Sequence, residues 1–478
     1  MSDAQQGSRA AALSAARRAS VRYRTSPWPG RLHVTGHRPS SHLDPALTFL
    51  GGATGARHLL ELPGTRILVG CGLLAGPDAL WRRNFSPVPD ELHAVGAVIL
   101  PSADLGHAGF LPQLVAEGWQ GPVFAMPGTA TLLPVALSDA AKQFTEDALA
   151  AEAGGWAGPG PAVPPFRAED VARAVALVRP VEYGTLQKLD GAEFEFGRAG
   201  GRLGAAWVRI RAGGRSVVFA GPLGAAEHGL LRPPDPRPRS DALVLAAPSP
   251  PGDGHLAGRF AAAVHRAVNR SGSILVPASA VGGERLLTML EELMAAGKIP
   301  KLPVVLDSPA GLSAVEAHQR AEWEHRHELH RGGRVGVPAG LVEQVPDRPS
   351  IVVAGLATAD SGRVLRHLAE LLPDPRNGVV LLGTPVPGTR AAQLASGTRQ
   401  LKVHGRYVPV RAEVTVLGST GEFAGPAEVL AWATATPPPE TAFVVEGEAA
   451  ASHAFAKALH AEAGWCAVVP EDGERVLC

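Results

Sequence analysis

Short apolar runs broken by Gly and Pro set the rhythm of the chain from Leu47 onward. Segments 47–50, 58–62, 66–69, 98–100, 121–126, 193–196, 206–211 and 216–220 are short, apolar or alternating, and bounded by turn residues, so they predict strands. Helical spacing predicts helices over 129–151 and 168–177. The pattern changes near residue 246. Helices over 258–269, 284–296, 312–330 and 363–371 alternate with apolar strands at 272–277, 302–307, 351–354 and 379–382. Strands that alternate with helices of this length imply a parallel α/β sheet. Strands of the first kind resume after about 397. The pattern therefore predicts one domain split into 45–245 and 397–478, with an α/β domain inserted at 246–396.

Composition narrows the class. The chain has 478 residues, 45% hydrophobic and 19% charged, with 56 Gly and 43 Pro, as in a globular protein with many turns. Its 45 basic and 45 acidic side chains balance, so no overall field draws it to nucleic acid or to an anionic membrane. Cys71, Cys466 and Cys478 are too far apart for a disulfide framework or a zinc finger. No leading hydrophobic signal and no apolar stretch of membrane length is present, which points to the cytoplasm and to no membrane partner. Residues 1–44 carry seven Arg against Asp3 and Asp44. They read as a basic, flexible extension, with contact to RNA or a partner as the alternative. His37, His42 and Asp44 lie in a Pro/Ser-rich segment without a rigid scaffold and are set aside as ligands.

Pro101-Ser102-Ala103-Asp104-Leu105-Gly106-His107-Ala108-Gly109 sits where a buried strand gives way to a loop and then a helix, a common place for a functional site. This framing resembles the metal-binding loop of the metallo-β-lactamase fold. Further blocks are similar to its β-CASP branch of RNA-processing nucleases: 48–55, 68–72, Val305-Leu306-Asp307-Ser308-Pro309, 372–377 and 404–412. They occur in the family order after residue 45. The resemblance implies an αββα metallo-β-lactamase sandwich with an inserted α/β β-CASP domain. It also implies two zinc ions, held by His and carboxylates, that activate water and clamp a phosphate.

The family's ligand positions fall on unlike residues. Its first Asp falls on Gly70. The His, His and Asp of the loop fall on Ser102, Asp104 and Gly106, and only His107 matches. The third-motif His falls on Gly201 and the bridging Asp on Pro222. The acid ending the next strand falls on Ala246, and two later His positions fall on Glu422 and Glu446. The shaping glycines Gly72, Gly109, Gly200, Gly204, Gly221, Gly224 and Gly447 remain. His107, Glu446 and Asp104 are weak metal candidates, and zinc is expected to be absent. Arg198 and Arg202 add charge in the third-motif loop and are candidate phosphate contacts, with salt-bridged surface residues as the alternative.

His318, His325, His327 and His330 form no His-Glu-x-x-His motif. On one helix they split between two faces, so they read as polar, solvated positions. The chain is thus expected to be a degenerate β-CASP homologue without catalytic residues. The resemblance offers as partners an active β-CASP nuclease paralogue, a second copy, or RNA. A hydrolase rebuilt around Asp104, His107, Glu422 and Glu446, and a non-cleaving RNA-binding protein, are the alternatives.

Overall fold

A computed structural model describes residues 45–478 apart from 52–54, 156–162, 249–253, 279–280, 324–325, 331–333, 339–340 and 343–348. The basic extension 1–44 lies outside the described residues.

Two seven-stranded sheets face one another. The first runs in space Arg475–Leu477, Ala46–Phe49, His58–Leu62, Thr65–Val69, Ala97–Leu100, Val123–Ala125, Val178–Pro180. The second runs Ala467–Val468, Thr441–Val445, Ala242–Ala246, Arg215–Phe219, Ala206–Ala212, Ala192–Arg198, Gln187–Leu189. Strand alternation decides which core each side chain enters. Leu47, Phe49, Ile67 and Val69 meet Phe194, Phe196, Val208 and Phe219 between the sheets. Leu68, Val98 and Leu100 point the other way, toward helices Leu111–Ala116, Pro127–Gly154 and Ala168–Ala176. Val218, Leu243 and Val444 pack under helices Pro426–Thr434 and Ala449–Ala463. This is the expected αββα sandwich, and both halves of the split chain contribute strands to each sheet.

The insertion has its own parallel six-stranded sheet, ordered Leu341–Val342, Val304–Asp307, Ile351–Ala354, Ile274–Pro277, Gly378–Leu382, Glu413–Leu417. Glu413–Leu417 pairs in register with Gly378–Leu382, so this sheet extends past the division at 396/397 drawn from patterning alone. A strand's sheet partner is not encoded in its own alternation, which is why the pattern placed this segment in the wrong domain. Asp307 ends its strand and takes hydrogen bonds from Arg363 at 2.9 Å, Arg366 at 2.9 Å and His367 at 2.8 Å. Helix Arg363–Leu371 is anchored there.

One helix differs from expectation. The segment read as 312–330 is helical only over Pro309–Trp323. Leu329 instead forms an isolated bridge with Leu231. His327 and His330 therefore lie beyond the helix, and His325 lies outside the described residues. His318 is buried, with Nδ1 3.1 Å from the Ala314 carbonyl oxygen and 3.5 Å from Glu284. It is a core histidine, so the solvated reading does not hold for it.

Candidate functional site

The loop after strand Ala97–Leu100 is shaped by backbone contacts. Ala56 N–H donates to the Gly106 carbonyl at 2.7 Å, Cys71 N–H to His107 at 2.6 Å and Leu73 N–H to Leu105 at 2.8 Å. The approach is so close that a Cβ on Gly72 would lie 1.7 Å from the Gly106 oxygen. Gly70 has φ +73°, and a Cβ there would lie 2.6 Å from the Ala56 oxygen. These glycines are required by geometry.

Arg57, which sequence reading missed, braces this loop from inside. It is buried, donates to the Gly72 carbonyl at 2.6 Å and to Asn84 Oδ1 at 3.1 Å, and lies 3.7 Å over the Phe110 ring. Burial pushes its pKa down to about 10. Nothing in the local pattern distinguishes it from a surface arginine beside a glycine turn.

The family-motif positions converge on one region, where two polar groups form. In the first, Arg202 Nε donates to Asp104 Oδ1 at 3.2 Å and Nη1 to Glu422 Oε2 at 2.6 Å. Its guanidinium lies 4.6 Å from the centre of the Phe423 ring. Ser102 Oγ donates to Asp104 Oδ2 at 2.7 Å, and the Asp104 N–H donates back to Ser102 Oγ at 3.0 Å. Gly282, from the insertion, lies against the same guanidinium, 2.4 Å from where its Cβ would stand. One cation therefore ties the first sheet's loop, the insertion and the returning segment together.

Burial pushes the Asp104 carboxyl up, but Arg202, His107 and the Ser102 hydrogen bond outweigh it and hold it below the usual carboxylate range. Glu422 is the opposite case. Burial, with repulsion from Glu284 and Asp104, raises it despite Arg202. Arg202 itself is raised: burial disfavours its charge, and the carboxylates of Glu422 and Asp104 more than compensate.

The second group is built on Glu446, which follows strand Thr441–Val445 with φ +55°. A left-handed non-glycine residue costs on the order of 1 kcal/mol and is kept where its surroundings require it. Here the carboxylate meets His58 Nε2 at 3.0 Å and His107 Nε2 at 3.4 Å. Burial raises Glu446, but the two imidazoles more than reverse this and hold it well below the normal range. Burial disfavours the charged form of His107, yet Glu446 and Asp104 bring its net shift upward. His58 opens strand His58–Leu62 and stacks on Phe219. No family motif in the sequence marks it.

The remaining positions supply no ligating side chain. A Cβ on Gly201 would lie 2.4 Å from the Pro222 oxygen and 2.8 Å from the Phe423 ring, whereas a Cβ on Gly106 meets nothing. Pro222 is buried and Ala246 half-buried. Arg198 donates to Asp235 Oδ1 at 2.5 Å and to the Pro233 carbonyl at 2.9 Å. Both arginines of the third-motif loop thus hold carboxylates. Among the described residues no set of three or more His, Cys, Asp or Glu is arranged to hold a metal ion.

Residues 284–394 match the Beta-Casp domain. A ribonuclease of Thermus thermophilus, TTHA0252, is 33% identical over 406 residues, which cover 80% of this chain and 89% of that protein. The transcription termination factor FttA of Methanothermobacter thermautotrophicus is 25% identical over 74% of this chain, which spans 58% of that protein. An RNase J-like protein of Methanocaldococcus jannaschii is 22% identical over 82% of this chain and 90% of its own length. With its αββα sandwich, its inserted parallel sheet and a ribonuclease relative aligned along most of both chains, this chain belongs to the metallo-β-lactamase-fold β-CASP nuclease family.

Proposed function

We propose that this chain is a pseudoenzyme of the β-CASP family, serving as a structural or regulatory partner of an active RNA-processing nuclease. The observation that carries the reading is Arg202. Its guanidinium is held by Asp104 and Glu422 at 3.2 and 2.6 Å, in the region where the family places zinc. A permanent cation among these carboxylates repels a divalent ion and occupies the oxygens that would ligate it. The donor set also does not fit a two-zinc centre. Gly201, Pro222 and Ala246 offer no ligand, and the Glu446 carboxylate is already shared by two imidazoles.

Support for the partner role is by kinship, since its relatives carry the names of ribonucleases and termination factors. A second reading, a hydrolase rebuilt around Asp104, His107, Glu422 and Glu446, draws on the contact of His107 with Glu446 at 3.4 Å. Elemental analysis of the purified full chain after zinc incubation and desalting, with cleavage of a labelled single-stranded RNA, separates them. Substoichiometric metal with no cleavage is expected. One tightly held ion with cleavage favours the rebuilt site, and two zinc per chain overturn both readings. Co-elution of an intact β-CASP nuclease from the native host tests the partner.

A further inference from the structure

From Pro375 to Ala412 the chain contains no Asp or Glu. Inside that stretch, strands Gln400–Val403 and Arg406–Pro409 form an antiparallel hairpin. Its turn residues His404 and Gly405 have φ of 46° and 76°, positive at both central positions as a two-residue hairpin loop of type I′ requires. Leu401 and Val403 are buried in the outer core of the insertion. The alternate positions therefore face solvent.

That outer face sets Lys402 directly opposite Tyr407. Tyr407 is 70% exposed. Lys402 shares that face, while Arg406, opposite the buried Val403 at the turn end, and Arg399 and Arg411 at the open end are exposed as well; none of these four has a carboxylate partner among the described residues. Other arginines of the insertion do have carboxylate partners: Arg376 meets Asp374, Arg390 meets Asp360, and Arg266 and Arg270 share Glu413. In a chain with no net charge, this hairpin thus carries exposed cations at both ends and one, Lys402, directly opposite an outward-facing aromatic ring.

We propose that the hairpin Gln400–Pro409 is a binding site for single-stranded RNA. Tyr407 offers a face on which an unpaired base stacks, Lys402 beside it contacts the adjacent phosphate, and Arg406 at the turn end and Arg399 and Arg411 at the open end meet phosphates further along the strand. Stacking on an exposed ring with cations along the backbone binds a single strand without choosing its sequence. A duplex keeps its bases stacked internally and gains nothing from the ring. An acidic protein segment would satisfy the cations and leave the ring unused, so the pairing of ring and charge favours RNA. The site does not depend on whether the Arg202 centre is inert, because it lies on the insertion and uses none of that centre's residues.

The test is fluorescence anisotropy of a labelled 20-nucleotide oligo(A) RNA with the full chain across a salt series. Binding is expected to weaken as salt rises. Tyr407→Ala should weaken it at least about fivefold, and Tyr407→Trp should preserve it. The pair Lys402→Gln and Arg406→Gln should lower the salt slope by roughly 0.7 per lost phosphate contact. All four are surface changes, and unchanged melting curves show that the variants fold. Three results overturn the proposal: no RNA binding by the wild type at low salt, variants that bind like the wild type, or a poly-glutamate peptide bound as tightly as the RNA. Zinc content and cleavage are read separately, so failure here leaves the pseudoenzyme reading standing.

Discussion

Replacing Arg202 with Met removes the charge and both hydrogen bonds while keeping much of the side-chain volume. At an effective dielectric constant near 20, the contacts to Asp104 at 3.2 Å and Glu422 at 2.6 Å correspond to gross attractions of roughly 5 and 6 kcal/mol. Removing three charged groups from water costs several kcal/mol each, so the intact cluster is close to neutral for stability. The variant is in a different position, because it leaves two carboxylates in a site where their side chains are only 23% and 11% exposed. Breaking a buried ion pair in this way typically costs about 3–5 kcal/mol. Urea denaturation of the full chain, followed by Trp fluorescence, should show a loss of that size at pH 7.5. Losing Arg202 removes the largest influence holding Asp104 down and leaves Glu422, already raised by burial, without its cation, so both carboxyls are expected to move up. Their charged forms are then the disfavoured ones, so the deficit shrinks as pH falls toward 5 and grows as pH rises. The triple variant Asp104→Asn, Arg202→Met, Glu422→Gln should recover most of the loss, since it leaves no buried charge. A single variant within 0.5 kcal/mol of wild type, or a triple variant no better than the single, would refute the idea that Arg202 holds this centre together.

Gly72→Ala places a methyl group against backbone at Gly106, with no flexible side chain to yield, and should cost more than about 2 kcal/mol in denaturant midpoint measurements. Gly106→Ala enters open space and should fall within about 0.5 kcal/mol of wild type. Restoring the family's ligands should follow the same rule: Gly106→Asp is expected to yield folded protein, whereas Gly201→His should fold poorly because Pro222 and the Phe423 ring occupy its space. Asp147 receives the Gly362 N–H from the insertion, and burial raises it from 3.8 to about 6. A raised carboxylate is stabilising when protonated and loses that contribution as pH climbs through this window. Asp147→Asn should therefore be more stable than wild type at pH 7.5 by on the order of 1 kcal/mol, with the gap closing by pH 4 in thermal melts.

Much of this protein was legible from residue order alone. Strand His58–Leu62 and helix Arg363–Leu371 have the bounds that patterning predicts, because alternation and helical spacing are local properties. The blocks that carry the family resemblance were also local, and the match to a Beta-Casp domain and a Thermus ribonuclease bears that reading out. That Gly70, Gly201 and Pro222 stand at the positions the resemblance assigns to ligands was an expectation read from the sequence alone.

Only the tertiary structure decided which side chains meet around Asp104, His107, Glu422 and Glu446. Arg202 meets Glu422 across 220 positions, and His58 meets Glu446 across 388. Neither pairing leaves a trace in spacing. From its loop, Arg202 read equally as a phosphate contact or a surface salt-bridged residue until the sandwich folded acids around it, and His58 resembled the first residue of an ordinary strand. Glu413–Leu417 likewise carries a strand's pattern but not the identity of its sheet. Periodicity records which face of an element turns inward. The partner that face meets depends on how distant segments are brought together, and in this chain that long-range assembly sets a guanidinium among the carboxylates.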